Sequence, residues 1–252
     1  MKAKIKLVNI SKAFKETGLV LDQLSLHVNE GEFVSIIGPS GSGKSTIFQC
    51  IGGLVEPEKG ELFLDDRKIN GKTGNIAYMP QQPALLPWRS ILANVLLGQE
   101  LFHKTDEEEA KKWLAKVGLS KYANAYPHQL SGGMKQRVAF LRALISPKSV
   151  LLLDEPFSAL DEFTRFDMQK WLLSLWEEER KSILFITHNI EEAIFLSDRI
   201  YLLSPRPARI IREIIVPFQR SRREQLLMKD EFLELKREIY DLLKAGGLHE
   251  NI

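Results

Sequence analysis

Five residues, Phe33-Val34-Ser35-Ile36-Ile37, run almost without a polar break straight into Gly38-Pro39-Ser40-Gly41-Ser42-Gly43-Lys44-Ser45-Thr46. A strand with no polar alternation is covered on both faces, which is the condition of the middle of a parallel sheet. The residues after it satisfy G-x-x-x-x-G-K-[ST] and lead into a helix-like stretch from Ile47 to Leu54. Glycines let a backbone wrap a phosphate so that several N–H groups point inward, at the positive end of the following helix. In that pattern Lys44 reaches the β- and γ-phosphates, and the Ser45 hydroxyl can ligate Mg²⁺. The four fixed positions would match by accident in about one chain in a hundred of this length. The strand–turn–helix setting makes accident rarer still, so the segment predicts a nucleotide site.

Two further continuous apolar runs, Val150–Leu153 and Ile183–Ile186, predict strands of the same buried kind. The first thirty residues differ. Ile5, Leu7 and Ile10 alternate with polar residues, as do Leu24, Leu26 and Val28 ahead of an Asn29-Glu30-Gly31 turn, which reads as strands with one wet face. Glu61–Leu64 and Ile76–Met79 read as smaller antiparallel strands. From about Ile91 to Ser146 the pattern turns helical. Glu107–Lys116 places Ala110 and Leu114 at helical spacing, and Met134, Val138, Leu141 and Ile145 step by four, three and four. This block interrupts a β/α/β pattern that resumes at Val150, so it reads as an insertion into a doubly wound domain. A last helix carries Met228, Phe232, Leu235, Ile239 and Leu242 on one stripe.

Charge and cysteine usage exclude several classes. Lys+Arg 35 against Asp+Glu 33 leaves +2, too balanced for a chain whose main work is gripping nucleic acid. A single cysteine, Cys50, excludes an internal disulfide and any multi-cysteine zinc or iron–sulfur site, and it fits a small core residue. No apolar run reaches the eighteen or so residues that a membrane span needs, so a membrane role would run through a partner.

Leu151-Leu152-Leu153-Asp154-Glu155 puts two carboxylates at the C-terminal end of a buried strand, where open α/β sheets place their ligands. Asp154 suits the shell of a Mg²⁺ ion, and Glu155 suits polarising an attacking water. Ser131-Gly132-Gly133 opens the helix marked by Met134 to Ile145 and makes a second anion-binding helix start. One nucleotide rarely needs two phosphate cradles from one polypeptide, so this second one asks for a partner.

The phosphate loop, the segment Leu130–Arg137, and Asp154-Glu155 leading into Ser158-Ala159-Leu160-Asp161 together resemble the ATP-binding subunit of an ABC transporter, in order and spacing, from about Ile5 to Val216. The resemblance implies an α/β fold: a P-loop NTPase (RecA-like) core with an N-terminal antiparallel β subdomain and an inserted α-helical subdomain. Its implied organisation is one domain over 1–252, with core 1–87 and 147–220, insertion about 88–146, and a C-terminal helix about 222–245. It implies ATP and Mg²⁺ as cofactors and a head-to-tail dimer in which Ser131, Gly132 and Gly133 act on the partner's nucleotide. The family's usual signature Gln is Met134 here. His188, after Ile183–Ile186 and Thr187, resembles the switch histidine that contacts the γ-phosphate. Gln81, with Gln82 beside it, resembles the loop glutamine that senses Mg²⁺ and water. Phe14 falls where an aromatic stacks on adenine, its alternative being an ordinary core position, and Asp161 matches the loop that faces the opposite active site.

Two stretches narrow the branch. Gln82–Trp88 and Asp154–Arg165 are similar to importers of nitrate, sulfonates and taurine, and Ser204–Ile210 agrees. The resemblance therefore implies an importer ATPase on the cytoplasmic face of the membrane. Its implied partners are a second copy, an integral membrane permease and, indirectly, a periplasmic or lipid-anchored substrate-binding protein, with no nucleic acid. The alternatives are the ATPase of a thiamine-pyrimidine precursor importer or a soluble non-transport ABC ATPase.

Overall fold

The computed structural model describes residues 2–103, 105–219, 225, 227 and 229–248, which form two compact units, Met1–Asn75 with Arg180–Ile252, and Ile76–Glu179.

In the first unit, β1 (Ala3–Phe14) and β2 (Gly18–Asn29) form a long antiparallel pair. Ile5, Leu7 and Ile10 face Val28, Leu26 and Leu24 across it, and all six are buried, as their alternation predicts. The pair is bulged where Asn9 and Gln23 take left-handed backbone angles. A bulge takes an N–H out of the ladder, and here serine hydroxyls accept both: Ser25 Oγ lies 2.9 Å from the Asn9 N–H and Ser11 Oγ 3.0 Å from that of Gln23. β4 (Lys59–Leu64) and β5 (Arg67–Lys68) extend this sheet in the order β2-β1-β4-β5.

β3 (Phe33–Ile37) lies parallel to both β8 (Ser182–Ile186) and β9 (Arg199–Leu203), and every residue of the three is buried. β10 (Ile210–Ile215) closes the edge of β9 antiparallel. Helices α6 (Ile190–Leu196) and α7 (Asp230–Leu248) cover this sheet through one apolar cluster that includes Ile37, Ile194, Leu202, Phe232, Leu235 and Ile239. The stripe expected on the last helix is therefore its packing face, with Leu242 against the cluster's margin; Met228 and residues 222–224 lie outside the described residues.

Two expectations are corrected. Helix α1 spans Lys44–Ile51 rather than Ile47 to Leu54, because Gly53, at φ +71, takes the left-handed conformation that ends a helix. Strand β6 (Ala77–Met79) in the second unit is parallel, not antiparallel, pairing Ala77, Tyr78 and Met79 with Leu151, Leu152 and Leu153 of β7 (Val150–Asp154). Its sequence neighbours bind no hairpin there; the chain returns to pair through a long helical crossover, and crossovers make parallel pairs.

That crossover holds α2 (Ile91–Glu100), α3 (Glu107–Lys116) and α4 (Gly132–Leu144). α2 and α4 touch backbone to backbone: a Cβ on Gly98 would stand 2.4 Å from the Arg142 carbonyl oxygen. α3 is capped by Asp106, whose carboxylate accepts from the Glu109 N–H at 2.8 Å, with Glu107, Glu108 and Glu109 in its positive first turn. α5 (Glu162–Glu179) closes the unit, its Trp171 ring edge-on to Trp113 at 5.7 Å and to Phe140 at 5.4 Å. Among the described residues no helix is long and apolar enough to cross a membrane.

One buried ionic cluster underlies the first unit. Arg199 on β9 grips Glu32 through Nε at 2.9 Å and a second nitrogen at 2.5 Å, and also bonds Glu213 at 2.9 Å. Its guanidinium lies 2.7 Å from His27 Nε2, and burial, with the Arg199 charge, holds the His27 imidazole below its usual pKa. Removing one partner strands a charge that water cannot reach, at a cost of about 3–5 kcal/mol. Arg199→Met should lose that much in urea unfolding, and Arg199→Met with Glu32→Gln should recover part of it. A loss below about 1 kcal/mol would place the cluster among solvated surface pairs.

Candidate functional site

In the first unit the phosphate loop leaves the end of β3 and enters α1. Gly43 sits at φ +107, and a Cβ there would stand 2.8 Å from Val20 Cγ1, so both backbone angle and space require glycine. Lys44 folds back across the loop, its Nζ donating to the carbonyls of Gly38 at 2.9 Å and Pro39 at 2.8 Å. Ser42 donates its N–H to the Pro39 carbonyl at 3.2 Å, yet among the described residues its buried hydroxyl has no hydrogen-bond partner. A buried orphan hydroxyl in a loop that also carries a lysine is the chemistry that an anionic oxygen satisfies. Ser40 and Gly41 are exposed at the loop's mouth, and Ser45 and Thr46 are half-buried in the first turn of α1, whose N–H groups precede the first intrahelical acceptors. Cys50, two turns on, is fully buried, and burial pushes its thiol up to about 11, which leaves it an inert core residue.

His188 is exposed on the turn between β8 and α6. Its neighbours fix that turn: the Thr187 hydroxyl donates to Glu192 at 2.5 Å, and Asn189 caps α6 by accepting from the Glu191 N–H at 2.8 Å. Phe14, at the end of β1, is 36% exposed, which excludes an ordinary core position; the Lys12 ammonium lies 5.2 Å from its ring centre.

In the second unit Asp154 ends β7 at 2% exposure. Tyr78 on β6 hydrogen-bonds its carboxylate, and burial followed by the Asp154 charge pushes the Tyr78 phenol well above its usual pKa, so it stays a donor. Tyr78 belongs to no motif of the sequence. A polar aromatic between buried Ala77 and Met79 was the available signal, and only the parallel register puts it on the face that Leu152 and Asp154 share.

Glu155 follows with φ +48, an uncommon angle for a side-chain-bearing residue. Three donors hold its carbonyl: the Ser158 N–H at 3.2 Å, the Ser158 hydroxyl at 2.9 Å and Gln136 Nε2 at 3.3 Å. Gln81 Nε2 donates to the Glu155 carboxylate at 3.1 Å, and Gln81 and Gln82 beside it are both exposed. A half-buried carboxylate oriented by an amide is poised to accept a proton from water.

Ser131 caps α4, its hydroxyl accepting from the Met134 N–H at 3.3 Å, and Ser131 and Gly132 are exposed. Gly133 lies close against the 159–160 turn, where a Cβ would meet Leu160 Cδ2 at 3.1 Å and the Ala159 carbonyl at 3.3 Å. Asp161 caps α5 by accepting from the Thr164 N–H at 3.0 Å, a bond that holds its carboxyl below the usual range.

A buried strand delivering a lysine-bearing phosphate loop, with an acidic pair at the end of another, defines a P-loop NTPase, and the serine-glycine-glycine helix start narrows it to an ATP-binding cassette. The chain belongs to the ABC transporter family, whose model matches residues 21–158. It is 37% identical, over 97% of both chains, to the aliphatic sulfonates import ATP-binding protein of Bacillus cereus. It is 41% identical to the formylaminopyrimidine import ATP-binding protein of Halalkalibacterium halodurans, over 95% of this chain and 96% of that one. Among solved structures, a dimeric ATP-binding cassette in a post-hydrolysis state bound to ADP and Pi is 33% identical, with a TM-score of 0.76 over 85% of this chain and all of the other. The protein is an ATPase of that family.

The oriented carboxylate sets a test. Glu155→Gln should keep ATP binding, lose about 10²-fold or more in turnover, and collect as an ATP-bound dimer on gel filtration. Turnover within a fewfold of wild type would take Glu155 out of the catalytic role.

Proposed function

We propose that the chain is the energy-coupling ATPase of an importer for aliphatic sulfonates, taurine or nitrate, working on the cytoplasmic face of the membrane. The likeness to the sulfonate import protein, spanning 97% of both chains, supports the cargo class. The observation that carries the coupling role is Trp88, which is 72% exposed at the end of the apolar segment Leu85–Trp88. Loops favour polar residues, and an indole held in water is a hot-spot side chain awaiting a partner. That partner is an integral membrane permease, and a periplasmic or lipid-anchored binding protein supplies its cargo.

In this reading Gly38–Thr46 takes the phosphates, Phe14 the adenine and His188 the γ-phosphate, while Gln81 orients Glu155 as it accepts a proton from the attacking water. Ser45, Gln81 and Asp154 offer the hard oxygen atoms that Mg²⁺ prefers, and the ion supplies charge neutralisation at the phosphates. Ser131, Gly132 and Gly133 serve the nucleotide of a second, head-to-tail copy, toward which Asp161 also turns. Beside Asp161, Phe163 is 86% exposed, a large apolar side chain suited to burial between two copies. The domain plan is a catalytic core of 1–87 and 147–220, a helical insertion 88–146 and a C-terminal helix 222–245.

A second cargo reading rests on the formylaminopyrimidine relative, whose identity is slightly higher. Transport by the assembled system decides it: uptake of an alkanesulfonate, taurine or nitrate supports the first, and uptake of formylaminopyrimidine alone overturns it.

Ser131→Arg and Lys44→Ala should each abolish hydrolysis by damaging opposite faces of the dimer. A mixture should regain activity, because each heterodimer gathers both defects at one composite site and leaves the other whole. Heterodimers that form yet stay inactive would count against action in trans.

Trp88→Ala should leave the subunit folded and ATP-binding, yet weaken co-purification with the permease by about thirtyfold, equivalent to about 2 kcal/mol, and stop transport. A fall of several degrees in melting temperature would instead show that Trp88 is structural.

A further inference from the structure

Arg142 lies in the last turn of α4, ten residues beyond Gly132 and so about 15 Å along the helix axis. Its two terminal nitrogens donate to the carbonyls of Ala84 at 2.8 Å and Pro83 at 2.9 Å, in the segment that joins Gln81 to Trp88. Ala84 takes a left-handed backbone angle, φ +44, so the clamp sits where the chain is forced into an uncommon turn. Among the described residues no carboxylate pairs with this half-buried guanidinium, and burial pulls its pKa down. A cation placed at such cost on two neutral carbonyls does more than fill space.

The rest of the segment is bound to α2. Asn94 on α2 is fully buried; its Oδ1 accepts from the Leu86 N–H at 2.8 Å, and its Nδ2 donates to the carbonyls of Leu86, Arg89 and Ser90 at 3.1, 3.0 and 3.0 Å. Arg89 returns to α2 through Glu100 at 2.7 Å. α2 is in turn pressed against the Arg142 backbone at Gly98. The loop carrying Trp88 therefore hangs on α2 through Asn94 and on α4 through Arg142.

We propose that Arg142 is the positioning residue that transmits displacement of α4 to the 83–90 segment, so that engagement of Ser131–Gly133 by nucleotide is felt at Trp88. This rests on the reading of Ser131–Gly133 as nucleotide-binding, and the test separates the two. Hydrogen exchange is followed on the full chain carrying Glu155→Gln, with and without Mg-ATP. ATP should slow exchange in 131–144 and change it in 83–90. Adding Arg142→Met should leave the response of 131–144 within about twofold while that of 83–90 falls by about fivefold or more, and Arg142→Lys should restore part of it. An unchanged ATP response of 83–90 in Arg142→Met overturns the proposal. So does loss of both responses in Arg142→Met and Arg142→Lys alike, which would make Arg142 a staple of the fold. Should Arg142→Met not fold, Arg142→Lys and Arg142→Gln carry the same comparison. Absence of any 131–144 response in the parent would instead defeat the nucleotide role of Ser131–Gly133.

Discussion

A strand covered on both faces can offer chemistry only at its ends. β3, β7 and β8 are buried at every residue, so none can expose a side chain along its length. Each discharges its reactive residues just past or at its C-terminal end: Gly38–Thr46 after β3, Asp154-Glu155 at and after β7, Thr187-His188 after β8. Gln81 follows β6 in the same manner. Helices start just past these ends, α1 after β3 and α6 after β8, and their unpaired N–H groups and positive dipole ends favour anions, which is why open parallel sheets bind ligands there. The apolar content of these strands and the placement of the polar site are thus one fact.

Those ends are stiffened locally before any ligand arrives. Lys44 is pinned on two carbonyls, the Glu155 carbonyl is held by three donors, and Asn189 and Thr187 fix the turn that carries His188. Glu155 also holds a left-handed angle that its surroundings must stabilise. Electrostatic catalysis depends on groups that need not reorganise during reaction, and hydrogen bonds of this kind hold them in advance.

The parallel core and the phosphate loop were legible because their signals are continuous in sequence. Five buried residues followed by a fixed glycine–lysine spacing leave few alternatives, and the exact bounds of α3 followed from its charged and apolar spacing. Ile76–Met79 was misread as antiparallel because three residues carry no period long enough to set direction, and direction was decided by a crossover some seventy residues long. Tyr78, Gln136 and Arg142 escaped for a related reason. Their partners, Asp154, the Glu155 carbonyl and the carbonyls of Pro83 and Ala84, are distant in sequence, and two of the three contacts are to backbone, which leaves no residue type to recognise.

The segment from Pro83 to Ser90 shows the same economy used for an exposed surface. An indole on a slack loop would fold back onto apolar neighbours, and ordering it at an interface would consume part of the binding free energy. Here Asn94 satisfies four backbone groups of the segment and Arg142 two more, so the loop is ordered by polar bonds while Trp88 stays in water. Because these bonds go to backbone, they hold the loop whatever side chains it carries. The order of this exposed segment therefore rests on Asn94 and Arg142 and not on the identity of the indole it presents.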